Sequence, residues 1–339
     1  MQPHSRSVRS SIRPISPIID LSDPTDQSDH RSVRSDRSVR SSICPIRPIS
    51  PIYNNHSPSF ISHTDMDPTP ESIYPRGTIE NRNRQAYDRM VQTKHFLTQP
   101  VSAEELENPL ATLDAKGWLG GNIRGWNVLC LAAGGGRQGP LYCAAGAKVT
   151  VLDISPAMLE LDHQVASHLG LNYRTVQGDM SDLSIFEPEQ FDLVAHPVST
   201  CYVPDIEPVF VQIVRVLRPN GLYVSQHKQP MNLQASLELI HGRYVIETPV
   251  GQAAKSIPAG QSSLLREPET IEFAHSLDAI LGGICRAGMS IEAISEPDHA
   301  KLDSEPGTMG HRSRFIRPYL RVKARKLGDS KFTRKIFVG

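Results

Sequence analysis

The chain has 339 residues, with 36 basic and 36 acidic side chains and therefore a formal net charge of zero. This length is enough for one large domain or two modest ones with a sizeable core. The charge balance argues against bulk attraction to nucleic acid or to an anionic membrane, and 6% aromatic residues leave little for a base-stacking surface. No apolar run approaches the roughly 18 residues that a membrane span requires. The five cysteines show neither metal-binding spacing nor a Cys-x-x-Cys motif, which predicts a cytoplasmic protein without a bound metal.

Residues 1–76 are rich in Ser, Arg, Pro and Asp and contain an internal repeat, because residues 6–18 recur with a small insertion at 37–52. Prolines every few residues forbid a long helix and disrupt strand pairing. The composition therefore predicts a disordered, low-complexity leader. A transit peptide, a basic tail for nucleic acid and a dispensable leader with Met66 as an alternative start all stay open.

The stretch from residue 128 to 153 carries the strongest motif. An apolar run with the length of a buried strand ends at Gly134, Gly135 and Gly136. Consecutive glycines permit unusual backbone angles and let a ligand approach the main chain closely. A small-residue segment that suits a helix follows, and a second apolar run ends in Asp153. This order of strand, glycine turn, helix, strand and acid indicates a nucleotide site at the carboxyl edge of a parallel sheet.

Strands and helices alternate along the rest of the folded part, after an amphipathic helix at residues 78–97. This alternation predicts a parallel sheet with helices on both faces. Only a polar segment separates the last two strands, which favours an antiparallel hairpin at the sheet edge. We therefore predict an α/β, doubly wound, mostly parallel seven-stranded sheet. Its strands are expected at residues 128–132, 149–152, 171–176, 191–195, 222–225, 291–295 and 315–324.

Two irregular segments interrupt this pattern. The turn at residues 218–221 is expected to place Gly221 in the permissive backbone conformation. Residues 231–270 lack a clear periodicity and contain several turn residues. A long irregular segment inside an α/β domain is usually a lid or a binding loop, so this insertion is expected to contact the substrate.

The glycine turn alone is compatible with two kinds of nucleotide site. Residues 134–139 satisfy the pattern Gly-x-Gly-x-x-Gly, and Asp153 follows at about the spacing expected for a dinucleotide-binding oxidoreductase. Asp179 and Met180, just past the third strand, favour a different site. They supply an acid for the amino group of an adenine and an apolar side chain for one face of its ring.

Together with Phe191-Asp-Leu-Val and Leu217-Arg-Pro-Asn-Gly, these motifs resemble the class I S-adenosylmethionine-dependent methyltransferases. The resemblance is closest to the small-molecule, methyltransferase type 11-like group related to the quinone-biosynthesis methyltransferases, and it covers residues 126–324. It implies S-adenosyl-L-methionine as the cofactor. The expected domain is 77–325, with an N-terminal helical cap at 77–125, the substrate insertion described above, and a basic tail at 326–339.

The resemblance also implies a set of cofactor-binding residues. Asp153 would bind the ribose hydroxyls, with Ile154 beside the adenine. Asp179 would bind the adenine amino group, and Met180 would pack on the ring. His196, at the end of the fourth strand, would meet both cofactor and substrate. The loop that would face the methionine part of the cofactor consists of Ala132, Ala133, Gly134, Gly135 and Gly136.

Two positions depart from the family pattern. Cys130 stands where the family has an acidic residue, so main-chain carbonyls of the loop are expected to hold the cofactor's amino group. Ala132 stands where the family has glycine, and its methyl group is expected to be tolerated provided that its backbone angles are ordinary.

Methyl transfer from a sulfonium is an in-line displacement, so it requires no triad or metal. If the acceptor is a hydroxyl or an amine, His196 and His227 are the candidate proton acceptors, because both end strands at the ligand-binding edge. His196 could instead hold loop backbone, and His227 could be solvated. Tyr202 is expected to line the acceptor pocket or to brace a helix, and Tyr87 to belong to a lid or to a packed helix.

The function that these features favour is methyl transfer to a small-molecule acceptor, with no nucleic-acid partner. Two alternatives stay open: an NAD(P)-dependent oxidoreductase that uses the same glycine turn, and a non-catalytic S-adenosylmethionine-binding protein suggested by Cys130. A nucleic-acid or protein methyltransferase ranks lower because no Pro-Pro-Tyr or Pro-Pro-Phe motif follows the fourth strand. The sequence specifies neither the acceptor atom nor the oligomeric state.

Overall fold

A computed structural model describes residues 77–259 and 263–328. The predicted leader at residues 1–76 lies outside the described residues, as does the tail from residue 329 onward. Within the described part, one seven-stranded sheet has the strand order β3-β2-β1-β4-β5-β7-β6. The strands are β1 (Asn127–Leu131), β2 (Lys148–Asp153), β3 (Arg174–Gln177), β4 (Phe191–His196), β5 (Leu217–Lys228), β6 (Met289–Ser295) and β7 (Tyr319–Lys326).

The first five strands run parallel, and β7 pairs antiparallel with both β5 and β6. The predicted fold class is confirmed, including the antiparallel hairpin at the edge. The strand order reverses between β1 and β4. In open sheets of this kind, ligands bind outside the carboxyl ends of the strands at such a reversal.

Helices cover both faces of the sheet because successive residues of each strand point to opposite sides. On one face, Leu129 and Leu131 pack with Ile213. On the other face, Val128 and Cys130 pack with Leu141. The helices are α1 (Thr78–Gln92), α2 (Ala103–Glu107), α3 (Pro109–Leu113), α4 (Gln138–Ala144), α5 (Pro156–Leu169), α6 (Glu207–Val216), α7 (Pro230–Gln234), α8 (Gly283–Arg286) and α9 (Met309–Arg312), with a π-helical turn at Asp278–Gly282 before α8.

Residues 218–221, which were expected to form a turn before the fifth strand, lie within β5, and their backbone corrects a second expectation. Asn220, with a φ of 64°, adopts the left-handed conformation that was expected for Gly221. Asparagine tolerates this region better than most residues. Gly221 is still required for a different reason, because a Cβ there would lie 2.9 Å from the carbonyl oxygen of Arg218.

The first helix is shorter than expected and is fixed in place. It ends at Gln92 rather than at residue 97, and a separate 3-10 turn follows at Phe96–Thr98. Asn83 donates to the carbonyl of Ile271 and accepts from its amide, at 3.2 and 2.7 Å. Asp88 accepts from the Ser155 hydroxyl at 2.6 Å. The helix therefore joins the irregular insertion to the start of α5.

Candidate active site

A cleft of about 980 Å³ opens to solvent at the carboxyl ends of β1 to β4, with α1 on one side. The residues predicted from the sequence that line it are Tyr87, Ala132, Ala133, Gly134, Asp153, Ile154, Asp179, Met180 and Tyr202.

The turn after β1 brings the main chain against the end of β2. The Gly134 amide donates to Asp153 Oδ2 at 2.9 Å. A Cβ at position 134 would lie 2.9 Å from the Cβ of Met158 and 3.1 Å from that of Asp153. Only glycine fits there. Gly135 and Gly136, in contrast, do not line the cleft.

Asp162 in α5 supports this turn from behind. Its carboxylate accepts from the Gly135 amide at 2.8 Å and from the Tyr173 hydroxyl at 3.0 Å. Burial raises the pKa of Asp162 to about 7, although the backbone hydrogen bonds from Gly136 and Gly135 oppose the shift. Sequence analysis missed this residue. The sequence pattern that could have identified Asp162 is its position three residues after Leu159, which places it on the same, buried side of the helix.

Asp153 and Asp179 lie at the ends of neighbouring strands and face the same cleft. Asp153 also accepts from the Ser155 amide at 2.9 Å, and burial raises its pKa. Asp179 accepts from the amide and the hydroxyl of Ser181 at 2.7 and 2.8 Å, both at Oδ1. The Gly178 amide donates to the Asp153 carbonyl at 3.0 Å, which keeps the two strand ends together.

The two candidate proton acceptors are placed differently from what the sequence suggested. His196 is fully buried; its Nδ1 shares a hydrogen bond of 2.9 Å with the Tyr223 hydroxyl, and its Nε2 one of 2.6 Å with the Ser199 hydroxyl. Burial lowers the pKa of His196 to about 3. Among the described residues its imidazole is not part of the cleft lining.

His227 is also fully buried, so it is not the solvated residue that one alternative assumed. Its Nδ1 and Nε2 share hydrogen bonds of 2.8 Å with the hydroxyls of Thr200 and Ser225. Burial lowers its pKa to about 3. The catalytic roles of both histidines stay predictions, but this geometry gives them no support, since neither ring reaches the cleft surface.

Tyr87 and Tyr202 form a pair at the other side of the cleft. Their hydroxyl oxygens are 2.7 Å apart, and their rings meet edge to face with centroids separated by 5.7 Å. Burial and the charge of Glu267 raise the pKa of both hydroxyls well above the ordinary value. Both tyrosines are therefore neutral hydrogen-bonding groups at physiological pH.

Glu267 was not predicted, and it comes from the irregular insertion to line the cleft. It belongs to a buried cluster, which we call the buried ion network: Lys228, Arg266, Glu267 and Glu272. Lys228 pairs with both glutamates, and Arg266 pairs with Glu272 at 3.1 Å. Burial alone would raise the pKa of Glu267, but the charge of Lys228 and the hydrogen bonds to Lys228 and Glu272 together outweigh it and lower the pKa to about 2.

The cleft has an acidic lining. Among the described residues its ionisable side chains, tyrosines aside, are four carboxyls and one guanidinium, that of Arg137, which pairs with Glu105 of α2. No group of three or more His, Cys, Asp or Glu side chains in the described ranges is arranged to hold a metal ion. No helix in those ranges is long and apolar enough to cross a membrane.

The glycine turn and the two strand-end carboxylates face one cleft at the edge of a doubly wound sheet. This arrangement suits an adenosyl cofactor and so defines a class of enzyme. Comparison with known proteins identifies the class. The family described as "Methyltransferase domain" matches residues 129–225. The uncharacterized methyltransferase YbaJ of Bacillus subtilis (strain 168) is 35% identical over 228 residues, which are 63% of this chain and 89% of that protein.

A demethylmenaquinone methyltransferase of Tropheryma whipplei (strain Twist) is 27% identical over 202 residues, which are 59% of this chain and 77% of that protein. Among solved structures, an S-adenosylmethionine-dependent methyltransferase from Mesorhizobium loti aligns with a TM-score of 0.48 at 19% identity, covering 65% of this chain and 100% of that one. A 1,6-didemethyltoxoflavin-N1-methyltransferase from Burkholderia thailandensis aligns with a TM-score of 0.49 at 16% identity, covering 78% of this chain and 98% of that one.

The chain belongs to the class I S-adenosylmethionine-dependent methyltransferase family, and its cofactor is S-adenosyl-L-methionine. The oxidoreductase alternative is therefore set aside.

Proposed function

We propose that this enzyme transfers the methyl group of S-adenosylmethionine to a small molecule that binds in the half of the cleft formed by Tyr87, Tyr202 and Glu267. We call this the acceptor half. We call the residues at the ends of β1, β2 and β3 the cofactor half. The observation that carries the proposal is that both halves line one continuous cleft.

In the cofactor half, Asp153 is assigned to the ribose hydroxyls and Asp179 to the adenine amino group, with Ile154 and Met180 against the ring. The packing supports this assignment, because Asp179 Oδ2 has no hydrogen bond to the described residues while Oδ1 is held by Ser181. The main chain at 132–134 is assigned to the methionine part, because these residues line the cleft while Gly134 lets the turn pack closely against Met158 and Asp153. When bound, the cofactor supplies an activated methyl group.

The protein's own residues orient the acceptor and exclude water from it. Such positioning can supply roughly 7–11 kcal/mol of the barrier lowering. The neutral hydroxyls of Tyr87 and Tyr202 can donate or accept hydrogen bonds, and the ionised carboxylate of Glu267 can only accept. An acceptor that carries N–H or O–H groups and no negative charge fits this half of the cleft best.

Proton removal by a histidine is not part of this proposal, because His196 and His227 are fully buried and hydrogen-bonded to hydroxyls. Glu267 is a weak base, since the charge of Lys228 and the hydrogen bonds to Lys228 and Glu272 together lower its pKa to about 2. The site therefore suits an acceptor that is nucleophilic without first losing a proton, such as a neutral amine.

The proposal extends to two untested features of the chain. We assign residues 77–325 to the methyltransferase domain, with α1 and the insertion contributing to the acceptor half. The acidic lining also disfavours a phosphate-rich acceptor such as nucleic acid. The predicted cytoplasmic location stays a prediction.

Formation of S-adenosylhomocysteine in the presence of acceptor panels tests the proposal. The panels consist of small amines, thiols, phenols and carboxylates of similar size. We expect turnover with the neutral amines and none with the carboxylates. Glu267→Gln should lower turnover while leaving S-adenosylhomocysteine affinity unchanged. Tight binding of S-adenosylhomocysteine without turnover on any panel would favour a non-catalytic protein, and turnover confined to carboxylates would contradict the assigned acceptor chemistry.

A further inference from the structure

Gln138 has a buried side-chain amide that forms no hydrogen bond with the described residues. It is the first residue of α4, directly after the glycine turn and Arg137, and only 1% of it is exposed. It lines the cleft. Within residues 77–259 and 263–328, neither its Oε1 nor its Nε2 has a hydrogen-bond partner. Leaving a buried polar group unsatisfied costs about 1–3 kcal/mol, so such a group in a cleft indicates a ligand that satisfies it.

Arg137 provides a positive charge beside this amide. Its guanidinium also lines the cleft, and Glu105 of α2 pairs with it. The Val101 amide donates to the Gly136 carbonyl at 3.0 Å, so the segment before α2 fixes the end of the turn. Gln138 and Arg137 therefore both lie at the end of the cleft where β1 turns into α4.

The acid that the resembling family has at position 130 is absent here. Cys130 is fully buried among apolar side chains, and burial raises the pKa of its thiol well above the ordinary value. A neutral thiol cannot balance an ammonium group. The nearby carboxylate of Asp162 does not replace it, because Gly135 and Tyr173 already hydrogen-bond to it and it does not line the cleft.

An α-amino acid group carries one positive and one negative end. A carboxamide offers an acceptor oxygen and two N–H donors from the same side chain. We infer that Gln138 binds the methionyl end of S-adenosylmethionine, its Oε1 accepting from the α-ammonium and its Nε2 donating to the α-carboxylate, with Arg137 adding charge on the carboxylate side. This takes the place of the main-chain carbonyls that the sequence suggested. The inference rests on the cofactor half assigned above.

Calorimetric titration with two related ligands isolates this contact. S-adenosylhomocysteine carries the amino acid end, and 5′-methylthioadenosine has the same adenosyl thioether without it. Gln138→Met keeps the length of the side chain and removes its polar atoms. We expect this variant to lose about tenfold in affinity for S-adenosylhomocysteine, the equivalent of about 1.4 kcal/mol, and to bind 5′-methylthioadenosine as the wild type does.

The thermal midpoint of the ligand-free protein is the folding control. Because the amide has no partner in the fold, Gln138→Met should leave the midpoint unchanged or raise it. Asp153→Ala is the matched comparison, since it should weaken both ligands together.

Equal loss of both ligands in Gln138→Met, or loss of neither, would overturn the inference while leaving the cofactor half intact. A wild-type protein that binds neither ligand would instead refute the cofactor half and this inference with it.

Discussion

The cofactor half of the cleft is built from consecutive strand ends, whereas the acceptor half joins segments that are far apart in the chain. In the cofactor half, Asp153 bonds to Gly134 only 19 residues away. In the acceptor half, Asn83 of α1 bonds to Ile271 across 188 residues. The first half depends on local spacing along a repeating strand–helix pattern. The second depends on long-range contacts that a single sequence does not reveal.

The two halves also differ in how their charges are held. Asp153 and Asp179 are held largely by amide N–H groups and by a serine hydroxyl. Glu267 is instead held by Lys228 inside the buried ion network. Main-chain amide donors stay in place when a side chain is substituted. An ion network, in contrast, leaves a buried charge unpaired when one of its side chains is removed. The halves should therefore respond differently to substitution.

The largest effect is expected for Lys228→Met. Breaking a buried pair by removing one partner typically costs 3–5 kcal/mol, about the loss we expect here, because Glu267 would keep a buried charge without its cation. The free energy of unfolding in urea measures this.

Lys323→Met is the matched control on the neighbouring strand β7. Lys323 pairs with Glu292 at 3.0 Å, but its side chain is 18% exposed and Arg325 also pairs with Glu292. An exposed pair of this kind contributes about 0–1 kcal/mol. Similar small losses in both variants would show that the network does not stabilise the acceptor half.

Most of the fold and the cofactor half could be predicted from the sequence. The glycine turn, Asp153 and Asp179 follow strands whose apolar pattern marks their ends, and parallel strands bring those ends to one edge. Glu267 could not be predicted, because the described part of the insertion after α7 has only isolated bridges and no periodicity. Gln138 adjoins the motif, yet only the fold shows that its amide is buried without a partner.

The burial of both histidines could not be predicted, for a related reason. Their positions at strand ends are those of ligand-binding residues, but the sequence does not show which side chains turn into the core. Thr200 and Ser199, which hydrogen-bond to them, lie on the loop after β4. The contacts that bury both rings depend on how that loop folds back over β5.

Removing a carboxylate from the cofactor half gives the next largest effect. Asp153→Ala should weaken S-adenosylhomocysteine binding by about 1–3 kcal/mol, because a charged hydrogen-bond acceptor is lost. Calorimetric titration measures the change. Asp182→Ala is the matched control, since Asp182 is exposed and does not line the cleft. Equal affinity in the two variants would contradict the role assigned to Asp153.

The buried histidines predict a pH dependence. His227 titrates at 6.5 in the unfolded chain and at about 3 in the folded protein. Between these values the unfolded state binds one more proton, so stability is complete above pH 6.5 and falls as the pH decreases, by about 1.4 kcal/mol per pH unit for each such histidine.

Urea unfolding at about pH 7 and about pH 5.5 measures this slope. The free energy of unfolding of His227→Gln should change less with pH than that of the wild type, by roughly 1.4 kcal/mol per pH unit. Asp162 and Glu272, whose pKa values are raised to about 7, change stability in the opposite sense but are present in both proteins, so they cancel in the difference. Identical slopes would show that His227 is not held neutral by the fold.

The smallest effect concerns the turn of the cofactor half. Ala132 has a φ of 49°, so the condition under which its methyl group was expected to be tolerated, ordinary backbone angles, is not met. An L-residue in the left-handed region costs about 1–2 kcal/mol, and glycine removes that strain while adding about 0.4–1 kcal/mol of unfolded-state entropy. Ala132→Gly should therefore stabilise the protein by about 0.5 kcal/mol.

Ala133→Gly provides the matched comparison in urea unfolding. Ala133 is also buried at the cleft, but it does not have a positive φ, so glycine there adds entropy without relieving strain. It should destabilise the protein by roughly 0.5–1 kcal/mol. Losses of the same size in both variants would mean that the methyl group of Ala132 contributes more by packing than its backbone conformation costs. The turn would then be stabilised by side-chain packing as well as by the carboxylates of Asp153 and Asp162. The cofactor half would in that case depend on side-chain contacts, as the acceptor half does.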